Sequence, residues 1–198
     1  MPEAPYAKLN LVFASRNPHK LAEYRLMAPE WLHLRALEKT NADIPEPHHS
    51  LEENALAKAR LVYNLIGADC FADDSGLEVE ALGGAPGYLS ARYAGDHATD
   101  QENLDRLLRE LGPNPNRRAR FRTVIALIWK GREYQFTGIL PGSIALRPAG
   151  SQGFGYDPVF IPEGHSRTLA QMTVAEKNAL SHRRLCFDQM VMALRQLA

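Results

Sequence analysis

Apolar and polar positions change their period several times along the chain, and each change predicts an element. Leu9 to Ala14 is a short apolar run, which predicts a buried strand. It passes through Ser15-Arg16-Asn17-Pro18 into a helical pattern from about His19 to Met27. Asn17 is placed to cap that helix, with Pro18 at its first position. Asn41 to His49 holds two prolines and two histidines and reads as a loop. Ser50-Leu51-Glu52-Glu53 is a capping box for a helix ending near Gly67, whose apolar stripe is Leu51, Ala55, Ala59, Val62 and Ile66. Cys70 to Ala72 predicts a short strand that stops at Asp73-Asp74-Ser75-Gly76, and Leu82 to Gly87 a loop.

Thr99-Asp100-Gln101-Glu102 is a second capping box, for a helix to about Leu111. Arg118 to Lys130 and Glu133 to Leu140 predict two strands of a hairpin around Gly131. Gly150 to Pro158 is a glycine-rich turn, followed by a short strand over Val159 to Ile161. Thr173-Val174-Ala175-Glu176 is a third capping box, opening helical sequence to the C-terminus. This succession of strands and helices predicts an α/β fold with a mixed sheet rather than a doubly wound parallel one.

The totals narrow the class. A chain of 198 residues, 45% hydrophobic and 23% charged, suits one globular domain over residues 1–198. Lys plus Arg and Asp plus Glu are both 23, so the formal net charge is zero. That balance argues against a nucleic-acid polymer as partner. Arg117, Arg118, Arg120 and Arg122 alternate with apolar residues and read as the polar face of a strand. Cys70 and Cys186 both sit in apolar runs, which suits two buried thiols in a reducing, cytoplasmic setting. The longest strongly apolar run, Val124 to Trp129, is far below the roughly 20 residues a membrane span needs, and Met1 to Asn10 has no secretory h-region.

Four clusters combine polar residues with turn geometry. Ser15-x-Asn17-x-x-Lys20 stands where a strand meets a helix N-terminus, which offers N–H groups, a hydroxyl, an amide and an ammonium to phosphate oxygens. The same residues also suit a plain helix cap. Lys58, beside Asn54 on the second helix, lies roughly 60° from the centre of the apolar stripe, on its half-buried side. There it either snorkels to solvent or holds a phosphate.

Asp73-Asp74-Ser75-Gly76 puts two carboxylates at a strand end, where Mg²⁺ would offset their repulsion, with Glu46 from the preceding loop as a further oxygen ligand. An Asp-rich turn is the competing reading. Gly153-Phe154-Gly155-Tyr156-Asp157-Pro158 offers an aromatic face between glycines, and Lys177, His182 and Arg183 follow on the last helical stretch. On one straight helix those three would point apart, so either the helix breaks near Ser181 or they reach different parts of a ligand.

At these residues the chain resembles the inosine/xanthosine triphosphate pyrophosphatase family, over nearly its whole length. The matching segments are Ser15 to Lys20, Glu53 to Arg60, Ala72 to Leu77, Gly84 to Gly87 with Ser90 to Tyr93, Gly153 to Pro158, and Glu176-Lys177 with Ser181 to Arg183. The resemblance implies an elongated mixed sheet flanked by helices, two lobes around a central nucleotide-binding cleft, and a homodimer.

Carried over by position, Ser15, Arg16, Asn17, Pro18, His19, Lys20 and Lys58 hold the triphosphate. Asp74 is the general base and a Mg²⁺ ligand, Glu46 is a second metal carboxylate, and Ser75 contacts substrate. Phe154, Gly155, Tyr156, Asp157, Lys177, His182 and Arg183 bind the purine. The implied reaction is hydrolysis of non-standard purine nucleoside triphosphates (ITP, dITP, XTP) to monophosphate and pyrophosphate. The rivals are a related pyrophosphatase for modified pyrimidine triphosphates and a non-catalytic nucleotide sensor.

Overall fold

A computed structural model describes residues 8–15, 17–37 and 49–197. The strands are β1 (Leu9–Phe13), β2 (Leu32–Ala36), β3 (Cys70–Val79), β4 (Arg118–Trp129), β5 (Arg132–Ile144) and β6 (Phe160–Pro162). The helices are α1 (Pro18–Met27), α2 (Leu51–Ile66), α3 (Asp100–Leu111), α4 (Val174–Leu180) and α5 (His182–Leu197). The strands form one sheet in the order β2-β1-β3-β4-β5-β6. β1 is parallel to both β2 and β3, whereas β6 is antiparallel to β5, so the sheet is mixed, as the sequence predicts.

Contacts group the chain into two compact units. One comprises Met1–Asp73, Val124–Phe136 and Phe187–Ala198; the other comprises Asp74–Thr123 and Thr137–Cys186. The first is centred on fully buried aromatics. Phe13 stacks on Phe71 at 4.8 Å between ring centroids, and Tyr24 meets Phe13, Phe71 and Phe187 at 5.0, 5.3 and 5.1 Å. Leu51, Ala55, Ala59 and Val62 of α2 are buried as their spacing requires, while Ile66, at the last turn, is 37% exposed. The second unit packs Leu104, Leu107 and Leu111 of α3 with Leu77, Phe121, Phe160 and Tyr156. Burying each such large side chain stabilises by about 1.5–3 kcal/mol.

Three departures from the expected elements have physical reasons. β2 is absent from the sequence reading: its buried Leu32 and Leu34 alternate with exposed residues, but over only five positions. Its stability comes from parallel pairing along the whole of β1, from Leu9↔Leu32 to Phe13↔Ala36. β3 does not stop at Asp73 but runs ten residues to Val79. The segment after it holds its far end, with Leu77 N–H donating to Ser90 Oγ at 2.9 Å and Glu78 bridging Pro86. Gly76 lies so close to the Gly87 carbonyl that a Cβ would stand 2.3 Å from its oxygen. β5 does not end at Leu140 but runs through Pro141, whose carbonyl accepts from Glu163 N–H at 2.9 Å, to Ile144.

The arginines divide as their alternation suggests, with one exception. Arg120 and Arg122 of β4 both bind Glu78, at 2.6 and 2.9 Å. Arg117 precedes the strand and instead donates to the carbonyls of Ile144, Gly112 and Ala145 at 2.6, 3.0 and 2.9 Å. Burial lowers the pKa of its guanidinium from the ordinary arginine value. Both cysteines are buried and unbridged, and burial pushes the Cys70 thiol up to about 12. No helix among the described residues is long and apolar enough to cross a membrane.

Candidate active site

The predicted residues fall into two sets, one in each unit. In the first, β1 delivers the chain to the N-terminus of α1. Ser15 Oγ accepts from Asn17 N–H at 3.2 Å. Asn17 Oδ1 then accepts from the amides of His19 and Lys20 at 3.0 and 3.2 Å. Those two amides are therefore engaged by the cap.

Lys20 and Tyr24, one turn apart on α1, both grip Asp73. Lys20 Nζ lies 2.9 Å from Oδ1, and the Tyr24 hydroxyl donates to Oδ2 at 3.1 Å. Asp73 is only 1% exposed, so these partners offset the cost of burying its charge. An ammonium has three N–H donors, and Asp73 engages one, leaving Lys20 capacity for phosphate oxygens. Lys58 is buried on α2 beside Asn54, deeper than the half-buried position its spacing implies. Arg16 and Glu46 lie outside the described residues, so the second metal carboxylate has no structural counterpart here.

The second set begins at Asp74, 5% exposed. Successive strand residues face opposite sides, so Asp73 and Asp74 do not form the side-by-side pair expected of a turn. Asp73 takes Lys20 and Tyr24. The Ser75 and Thr123 hydroxyls share a hydrogen bond of 2.7 Å, which fixes the Ser75 rotamer. Among the described residues no three His, Cys, Asp or Glu side chains form a ready-made metal cage.

The glycine-rich loop is shaped by Asp157. Its Oδ2 accepts from Phe154 N–H at 3.0 Å and from Lys177 Nζ at 2.7 Å. Gly153, at φ +79°, passes so close that a Cβ would stand 2.0 Å from that oxygen. Tyr156 points into the core of this unit and donates from its hydroxyl to the Ser90 carbonyl at 2.9 Å. Desolvation raises the pKa of that hydroxyl above the ordinary tyrosine value.

The helix breaks at Ser181, whose ψ of 146° separates α4 from α5. Ser181 Oγ then accepts from Arg184 N–H at 3.1 Å and so caps the new helix. The break lets cations from both helices converge on one ring. Lys177 Nζ stands 4.7 Å and Arg183 Cζ 5.8 Å from the Phe154 centroid. His182 stacks on Phe121 at 4.7 Å with 12° between the planes. Lys177, His182 and Arg183 are all buried. Sequence reasoning misses Tyr24, Phe121 and Thr123 as supports; the Lys20-x-x-x-Tyr24 spacing is the one local signal for any of them.

α4 holds Lys177 through its own cap. Thr173 and Glu176 form a complete capping box, and Arg167 binds Glu176 at 2.7 Å. Hydrogen bonding from Arg167, then from the Thr173 amide and hydroxyl, holds the Glu176 carboxyl down at about 2. A lowered folded-state pKa stabilises above the unfolded value and is lost as pH falls through the folded one. Wild type should therefore exceed Glu176→Gln in stability above about pH 4.5, the difference fading toward about pH 2. Denaturation of both proteins across that range checks this; a pH-independent difference would contradict it.

Together these parts define an α/β protein with two lysine–aspartate pairs, Lys20–Asp73 and the buried Lys177–Asp157, and an aromatic ring backed by cations. The chain belongs to the Ham1 family, whose profile matches residues 11–193. It is 46% identical to a dITP/XTP pyrophosphatase of Christiangramia forsetii, over 92% of this chain and 97% of that one. It is 45% identical to the dITP/XTP pyrophosphatase of Mycobacterium tuberculosis, over 95% and 96%. Among solved structures, the Staphylococcus aureus Ham1 protein superposes with a TM-score of 0.87 at 35% identity, covering 96% of this chain and 100% of that one. A HAM1 protein from Coxiella burnetii gives 0.87 at 39%, covering 95% and 99%.

Proposed function

We propose that this chain hydrolyses non-standard purine nucleoside triphosphates, dITP, XTP and ITP, to the monophosphate and pyrophosphate. The carrying observation is near-full-length identity of 45–48% to relatives bearing the name dITP/XTP pyrophosphatase. The chain acts as one domain, works in the cytoplasm and forms a homodimer.

In this reading Asp74 accepts a proton from a water aligned with the α-phosphorus. As the water oxygen bonds to phosphorus, the bond to the α–β bridging oxygen breaks and pyrophosphate departs. Mg²⁺, held by Asp74 with Glu46 as a second carboxylate, supplies charge compensation for the phosphates when bound. Lys20, kept in place by Asp73, and Lys58 bind the triphosphate, with the Ser15 to His19 segment around it. Ser75 contacts the substrate.

Phe154 stacks on the base, its ring turned by the Asp157 anchor on its amide. Lys177, His182, Arg183 and the loop backbone read the purine edge. Donors aimed at a six-position oxygen would be unpaired opposite the amino group of adenine, a mismatch able to discriminate by about 10⁴-fold.

A panel of dITP, XTP, ATP and modified pyrimidine triphosphates with pyrophosphate detection tests the proposal. Pyrophosphate from dITP and XTP with little from ATP is expected. Release of single phosphates would remove it; preference for pyrimidines, or tight binding without turnover, would favour the two rivals respectively.

A further inference from the structure

One acidic side chain reaches the Phe154 loop from an element not yet assigned to the site. Asp100 is the first residue of α3, a helix anchored through buried Leu104, Leu107 and Leu111 and capped by Thr99 and Glu102. Its Oδ2 accepts from Gly155 N–H at 2.7 Å. The preceding amide, that of Phe154, is taken by Asp157 Oδ2. Two consecutive amides of the loop are thus fixed by two carboxylates from different elements. Gly155, at φ +61°, has no side chain to restrict its backbone, so the direction of this segment depends on such anchors. The anchor is itself well placed, because a helix N-terminus favours a negative charge at that position.

We propose that Asp100 is a positioning residue for purine recognition: by holding the Gly155 amide it presents the Phe154 ring and the loop backbone to the base in one orientation. This rests on the reading of that loop as the purine contact. In this role Asp100 acts through the Gly155 amide and not on the substrate itself. Its loss should weaken ligands that carry a base and spare ligands that are only phosphate.

The test compares wild type, Asp100→Ala and Asp100→Asn as full chains. Direct binding of inosine monophosphate and of inorganic tripolyphosphate is measured, with dITP turnover alongside. Asp100→Ala should weaken inosine monophosphate by about tenfold, the worth of one charge-assisted hydrogen bond. The KM for dITP should rise similarly, with kcat within about threefold and tripolyphosphate binding unchanged. Asp100→Asn keeps an acceptor oxygen but not its charge and should restore binding to within about threefold.

Equal inosine monophosphate binding by wild type and Asp100→Ala would overturn the proposal. So would a parallel loss of both ligands, or a defect in Asp100→Asn as large as in Asp100→Ala, which would assign the effect to helix charge. A wild type that binds inosine monophosphate but releases no pyrophosphate from dITP removes the pyrophosphatase reading and leaves the Asp100 comparison standing. A wild type that binds no inosine monophosphate overturns both.

Discussion

Asp74→Asn is expected to lower kcat for dITP by about 10³-fold or more, within the range for loss of a general base together with a metal ligand. The substitution is close to isosteric, so no cavity opens in β3 and the thermal midpoint should move little. Asn cannot accept the proton from water, and its neutral oxygen is a poorer Mg²⁺ ligand than a carboxylate. The loss should fall on kcat more than on KM, because Lys20, Lys58 and the Phe154 loop are untouched. A rate within tenfold of wild type would show that the base lies elsewhere.

The neighbouring carboxylate is poorly suited to replace it. Asp73 is bonded to Lys20 Nζ and the Tyr24 hydroxyl and is almost fully buried. Each of its two carboxylate oxygens already accepts from one of these donors, and strand alternation places it on the opposite face of β3 from Asp74.

This division between Asp73 and Asp74 marks the boundary of what the sequence makes legible. Adjacent Asp residues before Ser and Gly look like a turn, because the partners that let them lie in a strand are remote in the chain. Lys20 and Tyr24 precede Asp73 by about 50 residues, and Thr123 follows Ser75 by 48. The features that are legible depend on local chemistry. Asn17-Pro18, Thr99 to Glu102 and Thr173 to Glu176 each carry their own cap, and each opens a helix at the expected place.

β2 lies at the opposite extreme. Five residues carry too little alternation to register, and their pairing with β1 is a tertiary fact. Candidate residues fare likewise: the motif resemblance identifies Lys177, His182 and Arg183, but only the break at Ser181 explains how Lys177 and Arg183 approach one ring. Asp100 is legible as a helix-start residue, yet its bond to Gly155 spans 55 positions and leaves no local trace.

Asp157→Ala is expected to produce the largest loss of stability of any single change considered. The Lys177–Asp157 pair is buried on both sides, with side chains 8% and 5% exposed and 2.7 Å between charges. Removing the carboxylate takes from the buried Lys177 ammonium its 2.7 Å counter-charge, which a cation–π contact with Phe154, worth only about 0.5–2 kcal/mol, does not replace. Breaking one side of a buried pair typically costs about 3–5 kcal/mol. For a chain of this size that is a fall of roughly 6–20 °C in the thermal midpoint. The Phe154 amide loses its acceptor in the same step, so affinity for inosine monophosphate should fall as well.

Lys177→Met separates the charge effect from simple loss of packing. If loss of the Lys177 counter-charge is the source, Asp157→Ala/Lys177→Met should be more stable than Asp157→Ala alone, because both charges are then gone. A double variant less stable than the single one would assign the loss to packing rather than charge, and a single variant within about 1 kcal/mol of wild type would show that the pair contributes little to folding. Asp157 would then matter chiefly as the acceptor that orients the Phe154 amide toward the base.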